Sequence, residues 1–231
     1  MASRLREALP RGGVFVDVGA NIGYYALLAA RRVGREGRVI AFEPNPESLK
    51  VLLLNTLPEG DVIRVFPFAI SDREGFLSLM RIVSIASSKP VTEAELRYPS
   101  DVSLAYAVRL DDVLKDEDRL DVLKCDIDGH DYRAMRGGLA TLARTRPVVF
   151  AEFNPGTLRS FSEVEPREYL RLFTGLGYRI TVLPRRGAVL EASGLEQVDL
   201  MLTPPPAARL TPAELALRPP GAVGPGTPRP P

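Results

Sequence analysis

Two sets of residues in this chain have the types and spacing to do chemistry. The first is residues 14–23 together with Glu43. A short apolar run from Val14 to Val18 carries Asp17 and ends in Gly19-Ala20-Asn21-Ile22-Gly23. A second run, Arg38 to Phe42, ends in Glu43, 20 residues after Gly23. Strand, glycine turn, helix, strand and terminal acid is the order by which an open α/β sheet holds an adenosine. The glycines permit the tight turn and the close approach of backbone to ligand. The acid at the second strand end can accept both ribose hydroxyl protons.

The spacing separates two cofactor classes. A dinucleotide site has three glycines as G-x-G-x-x-G, which seat a pyrophosphate on a helix N-terminus. Here the glycines are Gly19-x-x-x-Gly23 with Asn21 between them. Asp17, two residues before the turn, is expected to face the same site. An anion there repels a pyrophosphate and suits a cationic amino or sulfonium group. That favours S-adenosylmethionine over a nicotinamide dinucleotide. The bland alternative is a structural turn with no ligand.

The second set is Asp126, Asp128, His130 and Asp131, with Glu152 further along. Methyl transfer from a sulfonium is an in-line displacement, so the protein must orient the acceptor and exclude water. An alcohol acceptor also needs its proton removed by a positioned base. His130 is the one histidine, ordinarily titrating near pH 6.5. It falls just beyond a strand, where such sheets bind ligands. A helix-start residue bonded to Asp126, Asp128 or solvent explains it equally well. The carboxylates read as a base with orienting acids, as ligands of a divalent cation such as Mg²⁺, or as helix caps. The metal reading is the minority one, and Asp131 is expected to be a cap. Cys125 alternates with its neighbours inside an apolar run and reads as a buried structural thiol.

The elements that must position these groups follow from periodicity. Helical spacing covers residues 21–33, 46–57, 131–143 and 166–176, and the first ten residues read as a short helix or arm. Strands are predicted at 62–70, 76–82, 102–110, 121–125, 147–153, 178–183 and 198–202, besides the two already named. A short helix is expected at 111–114, with Asp111-Asp112 capping or beginning it. Residues 83–101, irregular and polar, read as a lid or substrate loop, in which Ser84, Ser87, Ser88 and Lys89 are acceptor-pocket candidates. Strands alternating with helices imply a mostly parallel sheet covered on both faces. Residues 1–203 read as one domain. Ten of the 21 prolines lie in residues 204–231, which are expected to be a disordered or extended tail.

Bulk properties narrow the classes. A formal charge of +1 argues against a protein built to grip nucleic acid. No apolar run approaches the roughly 20 residues that span a bilayer, and the first ten residues lack a signal-peptide core. One cysteine forms no internal disulfide, which points to a reducing cytoplasm. Arginine far outnumbers lysine, a mark of GC-rich bacterial coding DNA.

Residues 14–25 and Ala41-Phe42-Glu43-Pro44-Asn45-Pro46 resemble the first two motifs of the FkbM-type S-adenosylmethionine-dependent methyltransferases. Phe68-Ala69-Ile70-Ser71-Asp72, Arg109 to Leu114, Val122 to Gly129 and Glu152-Phe153 continue that likeness in order. The resemblance implies a Rossmann-like, doubly wound, seven-stranded sheet with the last strand antiparallel. It implies methyl transfer to a hydroxyl of a small molecule, sugar or glycan. By the same analogy Asp17, Gly19, Ala20, Asn21 and Gly23 surround the methionine part of the cofactor. Glu43 and Pro44 then lie at the ribose, Ala69, Ser71 and Asp72 by the adenine, and Asp126 near the transferable methyl. The chain departs from the family pattern at Asp126-Ile127-Asp128-Gly129-His130-Asp131, where two glutamates are shortened to aspartate and His130 replaces a small residue. That departure leaves open a non-catalytic, nucleoside-binding scaffold; a nucleotide-dependent oxidoreductase is the other alternative.

Overall fold

Every residue of β1 (Val14–Val18) is buried, so the strand must be covered on both faces. The computed structural model describes residues 1–80, 88–90, 102–183 and 197–205. Its further strands are β2 (Arg38–Phe42), β3 (Ile63–Phe66), β4 (Phe68–Ile70), β5 (Gly75–Met80), β6 (Ser88–Pro90), β7 (Val102–Val108), β8 (Val122–Cys125), β9 (Val148–Phe153), β10 (Arg179–Leu183) and β11 (Val198–Thr203). Seven form one sheet in the order β10-β11-β9-β8-β1-β2-β3. β11, the last strand, runs antiparallel to both of its neighbours, and the other pairings are parallel. The architecture is therefore the expected doubly wound α/β sheet. β1 has β2 on one side and β8 on the other, so strand order reverses there and opens a crevice at the carboxyl ends.

Helices cover both faces. On one, α1 (Ala2–Ala8), α2 (Tyr24–Val33) and α3 (Pro46–Thr56) close over Phe15, Val39, Ala41, Val122 and Phe150. After a helical turn α4 (Leu110–Val113), helices α5 (Asp131–Arg136), α6 (Leu139–Thr145) and α8 (Pro166–Gly175) close over Val16, Val18, Leu123, Cys125 and Val149. Between them lies α7 (Pro155–Thr157), followed by a π-helical turn, Leu158–Ser162. Side chains alternate along a strand, so Asp17, Lys124 and Glu152 share the α2 face. Helix α3 starts as its sequence directs: Pro46 is its first residue, and the Asn45 side chain accepts N–H bonds from Glu47 and Ser48.

Three features differ from the sequence expectation. The single strand predicted over 62–70 is broken at Pro67, which supplies no N–H; β3 stays in the large sheet and β4 leaves it. β4 enters a second, four-stranded sheet, β4-β7-β5-β6, that the periodicity did not announce. The helix predicted over 131–143 is two helices, interrupted at Gly137-Gly138. A Cβ on Gly137 would stand 2.0 Å from the Ser71 carbonyl oxygen, so the backbones meet where a side chain has no room. Asp111 and Asp112 lie in the first turn of α4, whose N-cap is Arg109, so they help begin it and do not cap it. The Asp111 carboxylate accepts N–H bonds from Ala140 and Thr141 at the start of α6. Most of the candidate lid at 83–101 and the tail from 206 onward fall outside the described residues.

Candidate functional site

The crevice is built from the turn after β1, the end of β2 and the segment after β8. Gly19 has φ +77°, and a Cβ there would lie 2.3 Å from the Asp126 carbonyl oxygen. Only glycine lets the turn pass so close to the chain leaving β8. The N–H groups of Gly19 and Ala20 both donate to the Phe42 carbonyl, at 3.1 and 2.9 Å, and pin the turn to the end of β2. Asn21 adopts φ 50°, a left-handed conformation that asparagine tolerates, and its N–H donates to Glu43 Oε2 at 2.7 Å. Gly23 caps α2 with φ 97°. Glu43 Oε1 accepts from the Asn45 N–H at 2.9 Å. Burial raises the Glu43 carboxyl above its ordinary range, against these two bonds.

Lys124 was not singled out from the sequence, yet it sits at the centre of this arrangement. Its Nζ donates to the Gly19 carbonyl at 2.8 Å, pairs with Asp17 Oδ1 at 3.3 Å and lies 3.9 Å from Asp126 Oδ2. The Tyr25 ring of α2 covers it, 5.4 Å from the ring centre. Burial opposes the ammonium charge, but Asp17 and Asp126 outweigh it and hold Lys124 protonated beyond its usual range. Asp17 itself is fully buried, and desolvation raises its carboxyl despite Lys124. The sequence reading had the Asp17 anion face the ligand. In the structure Asp17 is wholly buried and paired with Lys124. The carboxylate that reaches the crevice is Asp126, whose side chain is 36% exposed.

On the other side of β8 the acids gather. The β8–β9 pairing ends at Cys125 and Ala151, so Asp126 and Glu152 are the next residues along the two chains, close enough to interact electrostatically. Burial first, then Asp126, pushes the Glu152 carboxyl up to about 7. The Gln197 side-chain amide donates to Glu152 Oε1. Asp128, at φ 53°, and Gly129 make the tight turn that leads into α5. Asp131 does not cap forward as expected; its Oδ2 accepts the N–H of Gly129 at 3.0 Å, behind it. Burial and Asp126 raise Asp131 to about 6. Cys125 is buried, as its strand position predicted, and burial holds its thiol protonated. His130 is buried as the residue before α5, its ring stacked on Phe161 with centres 5.5 Å apart. Burial and Arg133 lower it to about 4, so it is neutral near pH 7 and a weak proton acceptor.

The adenine-side candidates lie where the small sheet meets α5. Ala69 is buried in β4, and the Ser71 N–H donates to the Val108 carbonyl at 3.0 Å. Asp72 is paired with Arg136, the last residue of α5. Sequence reasoning thus missed Lys124 and Arg136, and placed Glu152 beside the acidic group without singling it out as the base. An acid ending an apolar run was its signal. Among the described residues no group of three or more His, Cys, Asp or Glu side chains is arranged to hold a metal ion. No helix among them is long and apolar enough to cross a membrane.

The residues present fit an adenosyl cofactor. Each Glu43 oxygen retains a lone pair beyond its N–H bond for a ribose hydroxyl. Residues 17–180 match the family model described as the Methyltransferase FkbM domain. The AMB antimetabolite synthetase AmbE of Pseudomonas aeruginosa is 30% identical over 137 residues, which are 53% of this chain and only 6% of that protein. Among solved structures, methyltransferase FkbM from Methylobacillus flagellatus KT superposes with a TM-score of 0.54 at 14% identity, over 87% of this chain and 50% of that one. Fibrillarin of Aeropyrum pernix, solved with natively bound S-adenosyl-L-methionine, gives 0.50 at 11% identity, over 87% of this chain and 73% of that one. These structural likenesses establish the fold.

Proposed function

The chain belongs to the FkbM methyltransferase family, and from that premise we propose that it methylates a hydroxyl group on a small molecule or glycan. The cofactor is S-adenosylmethionine, which when bound supplies a methyl group already activated on a sulfonium. The Gly19–Gly23 turn and Glu43 would hold it, and Asp126 would offer a carboxylate to its sulfonium charge. The family, the fold and the four-residue glycine spacing all speak against the oxidoreductase alternative.

One observation carries the catalytic reading: Glu152 adjoins Asp126 at the crevice with its carboxyl lifted to about 7. A hydroxyl acceptor needs a base whose proton affinity lies near the working pH. Glu152 meets that condition, whereas His130, lowered to about 4, does not. Asp126 and Asp128 then orient the acceptor, and Glu152 takes its proton as the carbon–oxygen bond forms. His130 packs the loop that carries them.

The reading is tested by calorimetric titration of the full chain with S-adenosylhomocysteine, with NADH in a parallel cell. Micromolar binding of the first alone is expected; binding of neither, by a folded chain, moves the protein to the scaffold reading. Turnover on an acceptor found by screening should then rise through about pH 7, because the ionised form of Glu152 is the active one. Glu152→Gln should cost about 100-fold in turnover and erase that limb. A variant that keeps the limb removes Glu152 from the base role.

A further inference from the structure

Lys124 is a buried charge that no step above uses. It is 3% exposed, and its ammonium holds Gly19 of the glycine turn, Asp17 beneath it and Asp126 at the crevice. Its nearest carboxylate, Asp17, is wholly buried, and that pair sums to zero charge. Asp126 is the farther partner and the solvent-facing one. A ligand in the crevice therefore meets the Asp126 anion above a neutral pair. Removing Asp17 changes the field, whereas removing Lys124 also frees the Gly19 carbonyl.

We propose that the Lys124–Asp17 pair is the charge-setting element of the donor site: Lys124 fixes the Gly19 carbonyl and cancels Asp17, so that the Asp126 anion acts on a cationic donor with no net charge from the buried pair and the site favours a sulfonium over a neutral thioether. The inference rests on the cofactor assignment made above. Lys124 and Asp17 are positioning residues, because they act through the turn and through Asp126. The arrangement also serves turnover, since transfer of the methyl group leaves a thioether without the sulfonium charge that Asp126 attracts.

The test measures dissociation constants of S-adenosylmethionine and S-adenosylhomocysteine on the full chain, and follows their ratio. Asp17→Asn leaves the Lys124 charge uncancelled, and the ratio should shift about tenfold toward the thioether, the scale of one unit charge in a partly screened pocket. The double variant Asp17→Asn/Lys124→Met restores neutrality, and its ratio should return to within about threefold of wild type. A merely structural role weakens both ligands together and leaves the ratio fixed in every variant, which overturns the proposal.

Should Asp17→Asn fail to fold, Lys124→Met carries the test. The charged and titratable groups around Asp17 are Lys124 and Asp126 at the end of β8, Tyr25 from α2 and Glu43 at the end of β2. Without the lysine, Asp17 titrates instead of remaining paired. The ratio should then move toward the sulfonium as rising pH ionises Asp17; a flat ratio sinks the idea. Wild-type chain that binds neither ligand overturns the cofactor assignment and this inference with it. Wild-type binding of both, with a ratio unmoved by the variants, overturns this inference alone.

Discussion

The two banks of the crevice are built on opposite principles. On the β1–β2 bank backbone N–H bonds tie down the turn and Glu43, and the Asp17 carboxylate is held by an ion pair. Gly19 and Ala20 donate to Phe42, the Glu43 oxygens accept from Asn21 and Asn45, and Asp17 pairs with Lys124. On the β8–β9 bank Asp126, Asp131 and Glu152 crowd together, and the last two are raised to about 6 and about 7. Backbone hydrogen bonds fix a shape, and crowded acids tune proton affinity. The first bank is therefore a mould and the second a titrating surface. A mutation should damage binding on one and chemistry on the other.

The largest effect expected from this contrast belongs to the mould. Gly19→Ala forces a side chain onto the Asp126 carbonyl oxygen at a φ that L-residues rarely adopt. Affinity for S-adenosylhomocysteine should fall by about 100-fold or more, with a lower melting temperature. Calorimetric affinity within about threefold of wild type would show that the bank yields, and would end the distinction. Asp126→Asn should do the reverse. Thioether affinity should change by less than about tenfold while turnover drops about 100-fold or more. Because Asp126 helps to raise Glu152, the pH limb of any residual activity should also move below 7. Unchanged turnover would strip Asp126 of its assigned role.

The contrast also explains what could be read beforehand. The mould was legible because it is local: a glycine turn between two apolar runs and an acid at a fixed distance dictate their own geometry. The mostly parallel, doubly covered sheet followed from alternating periodicities, and its seven strands with the last antiparallel from the likeness of successive motifs. The Asp17–Lys124 pair was not legible, because it depends on the register of β1 against β8, strands far apart in sequence. The same holds for Glu152. Its position was visible at the end of an apolar run, but its proton affinity depends on which strand end adjoins it. The small sheet escaped notice because β4 is three residues long and leaves the main sheet at one proline. His130 shows the limit most clearly. Its place after β8 was read correctly, while its ring direction is set by Phe161 on a later turn.

That residue supplies the smallest expected effect on catalysis and a sharp check on the titrating bank. A buried, neutral His130 predicts that His130→Ala keeps the pH–rate profile, with turnover within about fivefold of wild type, and costs about 1–3 kcal/mol of stability from lost packing. The stability difference should itself depend on pH. The folded group is lowered to about 4 from 6.5, so the unfolded chain binds the additional proton as pH falls through that window. Wild type therefore holds the full benefit of a neutral His130 above about pH 6.5 and loses it toward about pH 4, by up to about 3 kcal/mol at about 1.4 kcal/mol per unit. The gap between wild type and variant in thermal melts should narrow across that range. A gap that stays constant, together with a vanished limb in the rate profile, would return the base role to His130 and make Glu152 a bystander.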